Sequence, residues 1–405
     1  MSLEEAAEQV AEHLLRQEFV EVYAHHDADG IAAGSLLCMA MMRRNIRFRL
    51  RVLPRISPAN ISPGQGTLLC DFGSGLEDLP DDVMVVDHHH PHFSGGLHVN
   101  PRLAGIDGDR ELSASGTAYI LAQKLGDNRD LAGLAMLGII GDGQEIAGKN
   151  LEIFNDAVAE GIITTGRGLR IVGRDDHERL LMSVNPYLHQ ISGDEMAVAD
   201  LIDSSMAEDG IALDTLLSLT VLRISPYASP RAMRGLYGDV FSLEREVIID
   251  CHTMAAVVDA CGKSGRGGLA VSLCLRATDG IDEAFELTRQ HRMNVIDALK
   301  SAFQSRDESG FYEVGDVRVA SDVADVLVRD CVSTGPVFVI ARAGDLCHIS
   351  ARCPEGVGLD IGKAVREAAL QCDGFGGGHH RRAGATINCA RLDTFRGHIA
   401  GVMAQ

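Results

Sequence analysis

His25, Asp27 and Asp29 stand two residues apart in the run FVEVYAHHDADGIAAG, residues 19–34. Residues 19–24 are β-branched and aromatic and read as a strand, and 30–37 read as the start of a helix. The turn between them gathers two carboxylates and an imidazole at a strand-to-helix junction, where open α/β sheets bind their ligands. Such a group repels itself and resists desolvation unless a positive charge sits within it. A divalent cation is the natural partner. Asp27 also stands where an aspartate commonly caps a helix.

The pattern recurs downstream. A strand expected at 67–70 runs into Asp71 and FGSG, and another at 83–86 runs into Asp87, His88, His89 and His90. Asp142 lies in GIIGDG. Half of the sixteen histidines fall in three clusters, at 25–26, 88–92 and 379–380, so they are not scattered as core histidines would be. Mixed Asp and His ligands without thiolates suit Mn²⁺, Mg²⁺ or Zn²⁺. Several carboxylates together can neutralise two divalent ions, which activate a water and stabilise in-line displacement at phosphorus. Phosphoester hydrolysis is the chemistry implied.

The elements that must carry these residues alternate. After a short N-terminal helix opened by a capping box at Ser2 and Glu5, strands are expected at 19–24, 47–53, 67–70 and 83–86. Helices are expected to about 43 and over 116–125 and 131–146. Short apolar strands alternating with helices predict an α/β fold with a doubly wound, mainly parallel sheet. The middle of the chain is more helical and contains a glycine-rich basic segment, ACGKSGRGG at 260–268, which reads equally as a turn or as a substrate contact. From about 326 the pattern changes: strands at 336–342 and 346–352, a helix at 359–370, the run GFGGGHHRRAGA at 374–385, a short strand and a last helix. The expected organisation is a catalytic domain over 1–190, a helical connector over 191–305 and a smaller α/β domain over 306–405, with a cleft between the outer two.

A formal net charge of -20 excludes a general basic face, so contact with a polyanion has to be local. The absence of Trp weakens any reading built on aromatic stacking platforms. Ten cysteines without a C-x-x-C pair argue against a zinc ribbon and against a disulfide framework, and predict reduced thiols. The acidic, amphipathic N-terminus is unlike a signal peptide. The longest apolar run, near 131–140, is far short of the ~18 residues of a membrane span. A soluble, cytoplasmic protein with no membrane partner is expected.

HHDADG, CDFGSG, VVDHHH, GIIGDG and GGGHHRRAGA, in this order, resemble the motifs of the DHH phosphoesterase family. Within it the chain is most similar to the RecJ-like nuclease branch, especially archaeal members; the H-x-D-x-D-G form differs from the longer first motif of family II pyrophosphatases. The resemblance implies two divalent metal ions, Mn²⁺ or Mg²⁺. His25 and Asp27 would hold one, Asp29, His88 and Asp142 the other, and Asp71 would bridge them. Asp87, His88 and His89 are the expected catalytic residues, Asp87 orienting the histidines and His89 facing the metal or the scissile phosphate. Gly376, Gly377, Gly378 and His379 would bind substrate with Arg352 and Arg381, alongside Ser350 and Arg382; many relatives have small residues at the positions of Arg381 and Arg382. The loop 113–117 would either touch substrate or cap its helix. The implied activity is exonuclease or phosphodiesterase action on single-stranded DNA, RNA or short oligonucleotides. Two alternatives stand beside it: a dinucleotide phosphodiesterase or 3'-phosphoadenosine nucleotide phosphatase, and a replisome scaffold that docks on replication or repair proteins.

Overall fold

The computed structural model describes residues 1–57, 61, 64, 66–76, 78–304, 310–331, 335–354, 356–378 and 380–403. The chain forms two compact units, Met1–Gly168 with Asp239–Thr288, and Leu169–Gly238 with Arg289–Gln405. Of the stretch expected as a connector, 239–288 belong to the first unit and the remainder to the second.

In the first unit the capping box opens helix α1 (Leu3–Leu14) as expected, Glu5 N–H donating to Ser2 Oγ and Ser2 N–H to Glu5 Oε2. Then follow β1 (Phe19–His25), α2 (Ala28–Arg43), β2 (Arg47–Leu53), β3 (Thr67–Cys70), β4 (Val83–Val86) and β5 (His98–Val99). Helices α3 (Ala114–Leu125), α4 (Ala132–Gly141) and α5 (Gly148–Ala159) complete the set used below. The strands form one parallel sheet in the order β2-β1-β3-β4-β5. From β1 the chain moves outward to β2 and then back across to β3. That reversal makes a switch point between β1 and β3, where open α/β sheets leave a crevice for ligands.

Alternation along the strands sorts the core. Val20, Val22, Ala24, Leu68, Cys70, Met84 and Val86 pack against a helical layer containing Leu14, Ile31, Leu36, Leu37 and Leu134. Tyr23, Leu69, Val83 and Val85 point the other way, under Ile56, Phe72, Leu76 and Phe93 from the connecting segments. Each fully buried Leu or Ile in this layer contributes about 1.5–3 kcal/mol, which holds the strand ends in fixed register. The glycine-rich segment 260–268 is the junction between helices Cys251–Lys263 and Gly267–Cys274, turning at Gly265 with φ of +74°.

The second unit contains a helical part built around Leu180, Leu188, Val198, Leu216 and Leu236. Its sheet runs Phe311–Val314, Val337–Ala343, Leu346–Arg352, Arg382–Asn388, Phe375–Gly378, the first pair parallel and the others antiparallel. Helix Ile361–Leu370 supplies Ile361, Val365 and Ala369 to the core on one face. One expectation is corrected here. Cys347 and Cys389 form a disulfide, with Cα atoms 5.0 Å apart, so the ten cysteines are not all reduced thiols. Pairing of Cys347 with Ile387 across the antiparallel ladder brings the two sulfurs together; their separation of 42 residues gave no spacing signal. The other eight form no disulfide, and all but Cys331 are buried. Among the described residues no helix is long and apolar enough to cross a membrane.

Candidate metal centre

β1 ends at His25, and Asp27 caps α2, its Oδ1 accepting from Gly30 N–H at 3.0 Å. The capping role and the ligand role are compatible, because Asp27 Oδ2 lies 2.9 Å from His25 Nδ1. Asp29, in the first turn of α2, is 1 % exposed. Its two oxygens accept from the backbone N–H groups of Ala114 and Ser115 at 2.8 and 2.9 Å. Ser113 caps α3 by accepting from Gly116 N–H. The 113–117 loop thus follows its capping reading and in addition anchors a carboxylate through a helix N-terminus.

Asp71 follows β3 with φ of +63°, a left-handed conformation that a non-glycine residue holds only when its surroundings impose it. Its Oδ2 lies 3.2 Å from His25 Nδ1. Its Oδ1 is buried and accepts no hydrogen bond, with His88 Nε2 at 3.4 Å and His89 Nδ1 at 3.6 Å. Asp87, fully buried at the end of β4, accepts from Ser74 N–H, His88 N–H and His89 N–H, and its Oδ1 is 2.7 Å from His89 Nδ1. His88 Nδ1 donates to Gly108 O at 2.5 Å, which leaves Nε2 as the ligating nitrogen. That Nε2 lies 3.6 Å from Asp142 Oδ2, at the C-terminus of α4.

All six expected ligands are therefore brought together. His25, Asp27 and Asp71 form one group, Asp29, His88 and Asp142 a second, and Asp71, His88 and His89 a third; in each the candidate ligand atoms lie within 4.8 Å of one another. The donor set fits a divalent cation: four carboxylates with imidazoles, and one buried carboxylate oxygen without a hydrogen-bond donor.

Electrostatics carry the same message. Burial, then the charges of Asp71 and Asp142, raise the Asp29 carboxyl to about 7. Burial and Asp27 also raise Asp71. Burial works against a charge on the histidines, but carboxylates outweigh it: Asp27 and Asp71 at His25, Asp71 and Asp142 at His88. Both rise well above the usual range, and Asp87 brings His89 to about 9. Without a cation, protons supply the missing positive charge.

Some supporting residues carried no signal in the sequence. Gln144 is buried, donating to Gly108 O at 2.8 Å and to Asp142 Oδ2 at 3.3 Å, and is itself held by Asn150. Asn100 donates to Ser74 Oγ and His89 O. Amide side chains distant in sequence have no motif that marks them.

Gly138 explains part of the GIIGDG run. A Cβ there would collide with Ser115 Oγ and Asp29 Oδ1. Gly138→Ala is therefore expected to push Asp29 from its two backbone donors, lowering stability by about 1–3 kcal/mol and weakening Mn²⁺ binding at least about tenfold. Chemical denaturation and calorimetric titration measure the two effects.

The expected substrate-binding residues belong to the second unit. Gly376, Gly377 and Gly378 lie on edge strand Phe375–Gly378, and His379 lies outside the described residues. Arg352 is 8 % exposed, its Nε 2.7 Å from Asp325 Oδ1 and its Nη2 donating to Ser321 Oγ. Its guanidinium thus has internal partners, and a substrate contact would have to share them. Arg381 and Arg382 are exposed, Arg382 lying 3.3 Å from Asp325.

A DHHA1 domain model matches residues 312–405. An uncharacterized protein of Methanocaldococcus jannaschii is 25% identical, over the whole of this chain and 98% of that protein. RecJ from Thermus thermophilus, solved in complex with Mn²⁺, superposes with a TM-score of 0.61 at 19% identity, covering 99% of this chain. The chain has a RecJ-like DHH fold with a DHHA1 domain. It spans about half of that RecJ, 54% of its length. CDC45 from Entamoeba histolytica has a TM-score of 0.63 at 10% identity, covering 98% of this chain and 97% of its own. The resemblance read from the five motifs thus holds at the level of fold.

Proposed function

We propose that this RecJ-like DHH protein is a metal-dependent phosphodiesterase, an exonuclease that hydrolyses single-stranded DNA or RNA. One observation carries the reading: Asp71 belongs to two of the candidate ligand groups and has a buried oxygen without a hydrogen-bond donor. A carboxylate so placed suits a bridge between two ions. His25 and Asp27 would hold one ion with Asp71, and Asp29, His88 and Asp142 the other. When bound, the ions would supply an activated water and neutralise charge on the phosphodiester. Mn²⁺ fits the mixed oxygen and imidazole donors, and Mg²⁺ is the alternative.

The protein's own contribution is orientation. Asp87 fixes His89 through Nδ1, so Nε2 is the nitrogen through which His89 would meet a phosphate oxygen. Gly108 O fixes the His88 tautomer, and Gln144 ties that carbonyl to Asp142. The glycine strand 376–378, with His379, Arg381 and Arg352, remains our proposal for holding the substrate.

The likeness to CDC45 favours a second reading, a scaffold in a replication assembly. The complete set of His and Asp ligands speaks for catalysis, and the two roles are compatible in one protein. A phosphodiesterase for dinucleotides, or a 3'-phosphoadenosine nucleotide phosphatase, would use the same centre on a shorter substrate. End-labelled single-stranded DNA and RNA of matched sequence, incubated with Mn²⁺, Mg²⁺ or EDTA and resolved at single-nucleotide steps, test the proposal. Metal-dependent release of mononucleotides is expected. Cleavage of a dinucleotide but of neither polymer would favour the short-substrate reading, and no cleavage of any of them would favour the scaffold.

A further inference from the structure

Residues 43–55, RRNIRFRLRVLPR, hold six arginines and no acidic residue in a chain of net charge -20. The hydrolysis proposed above uses none of them. Three, Arg47, Arg49 and Arg51, alternate along β2 and are exposed, while Phe48, Leu50 and Val52 between them pack on the core. β2 is an edge strand, paired on one side with β1.

The register ties this row to the metal centre. Leu53 stands opposite His25, Arg51 opposite Tyr23, Arg49 opposite Glu21 and Arg47 opposite Phe19. The row therefore starts two residues from a ligand and leads away along the edge. Beyond Leu53, exposed Arg55 continues toward His26, and the helix end carrying Lys263 packs there too, since a Cβ on Gly262 would collide with His26 O.

The acids facing the row are few. Glu21, 4 % exposed, takes the Arg49 guanidinium at 2.5 Å and lies 3.9 Å from Arg51. Exposed Glu18 lies 3.9 Å from Arg47, and Asp259 pairs with Lys263. Glu21 thus fixes the middle arginine, while Arg47 and Arg51 keep most of their charge toward water. Side chains two residues apart on one face repeat every ~6.6 Å, comparable to the separation of successive phosphates in an extended single strand.

We propose that Arg47, Arg49 and Arg51, continued by Arg55 and Lys263, form a track for the phosphates of a single-stranded nucleic acid whose end lies at the metal centre. The track deepens the nuclease reading and rests on it. It sets the substrate class: long strands gain contacts that a dinucleotide cannot reach. It also reconciles an acidic protein with a polyanionic substrate, because the attraction is confined to one strand edge.

The test is the double variant Arg47→Gln/Arg51→Gln, which leaves the Arg49–Glu21 pair in place. Arg16→Gln, in the turn after α1 and paired with Glu12, serves as control. Binding of a fluorescent 20-mer is measured in EDTA across a salt series, and Mn²⁺-supported turnover is measured on the 20-mer and on a dinucleotide. Loss of two phosphate contacts predicts affinity for the 20-mer down at least about tenfold and a log–log salt slope shallower by about 1.4. KM on the 20-mer should rise at unchanged kcat, and turnover of the dinucleotide should be unchanged. Affinity and slope equal to wild type would overturn the track and leave the arginines as protection of an open sheet edge. Equal losses on both substrates would also overturn it. The EDTA arm reads the track without catalysis, so a failed nuclease assay with an intact binding difference refutes the hydrolytic reading alone.

Discussion

Asp71→Asn is expected to abolish the proposed phosphodiester hydrolysis and to leave the protein folded, with metal-free stability equal to or above that of wild type. Asparagine keeps the side chain's size and tolerates the left-handed backbone at this position, where alanine would not. What it removes is charge. Asp71 is buried beside Asp27 and raised by it, so the metal-free protein gains by losing one member of a like-charged group. The proposed bridge between two ions would be lost at the same time. Turnover should fall at least about 10³-fold, while the metal-free melting temperature stays level or rises by a few degrees. Turnover on a labelled strand, with calorimetric melting in EDTA and in Mn²⁺, separates the effects. Turnover within tenfold of wild type would remove Asp71 from the bridge and with it the two-ion reading.

The residues most legible in the sequence are those whose types conflict with their setting. Asp71, Asp87 and Asp142 end apolar runs, where a carboxylate is costly without a partner; the structure gathers Asp71 and Asp142 with His25 and His88, and pairs Asp87 with His89. The strands of the first unit were legible for a related reason. β3 and β4 are unbroken apolar runs buried on both faces, and β2 alternates as an edge strand should. β5 has only two residues and no pattern to read.

Other features depend on partners remote in sequence. The donors that hold Asp29 lie 85 and 86 residues away, at a helix start that the residue pattern put two positions late. Arg352 was expected to meet substrate, but its guanidinium is held by Asp325 from helix Ala320–Arg329. The Cys347–Cys389 pair is set by ladder register alone. The 260–268 segment looked like a loop because glycine is common in loops. Here Gly262 and Gly267 let two helices approach His26 and Val52, which is a packing requirement.

Between pH 7 and 9 the metal-free protein should lose stability, and Mn²⁺ should cancel the loss. His89 is raised from 6.5 to about 9 in the folded state, so its contribution as a charged partner of Asp87 is complete below pH 6.5 and disappears as pH climbs through 9. His25 and His88 are raised in the same direction and add to the loss with the same sign. Asp29, raised to about 7, keeps in the folded state a proton that the unfolded chain gives up near 3.8, so its share of the decline falls below pH 7. His26 and His98 are lowered and work the other way, but only at pH values below 6.5. Above pH 7 the raised histidines lead the decline, joined near pH 9 with the same sign by the buried thiols of Cys38, Cys70, Cys251, Cys261 and Cys274, which burial raises. A divalent ion needs these nitrogens and carboxylates without their protons, so its binding strengthens as pH rises and stabilises most where the metal-free protein is weakest. Melting temperatures in EDTA should fall by about 5 °C or more from pH 7 to 9, and the gain on adding Mn²⁺ should grow over the same interval. A metal-free melting temperature that is flat from pH 7 to 9 would mean that these histidines are not charged by the carboxylates around them. The cation-like role assigned here to their protons would then fall.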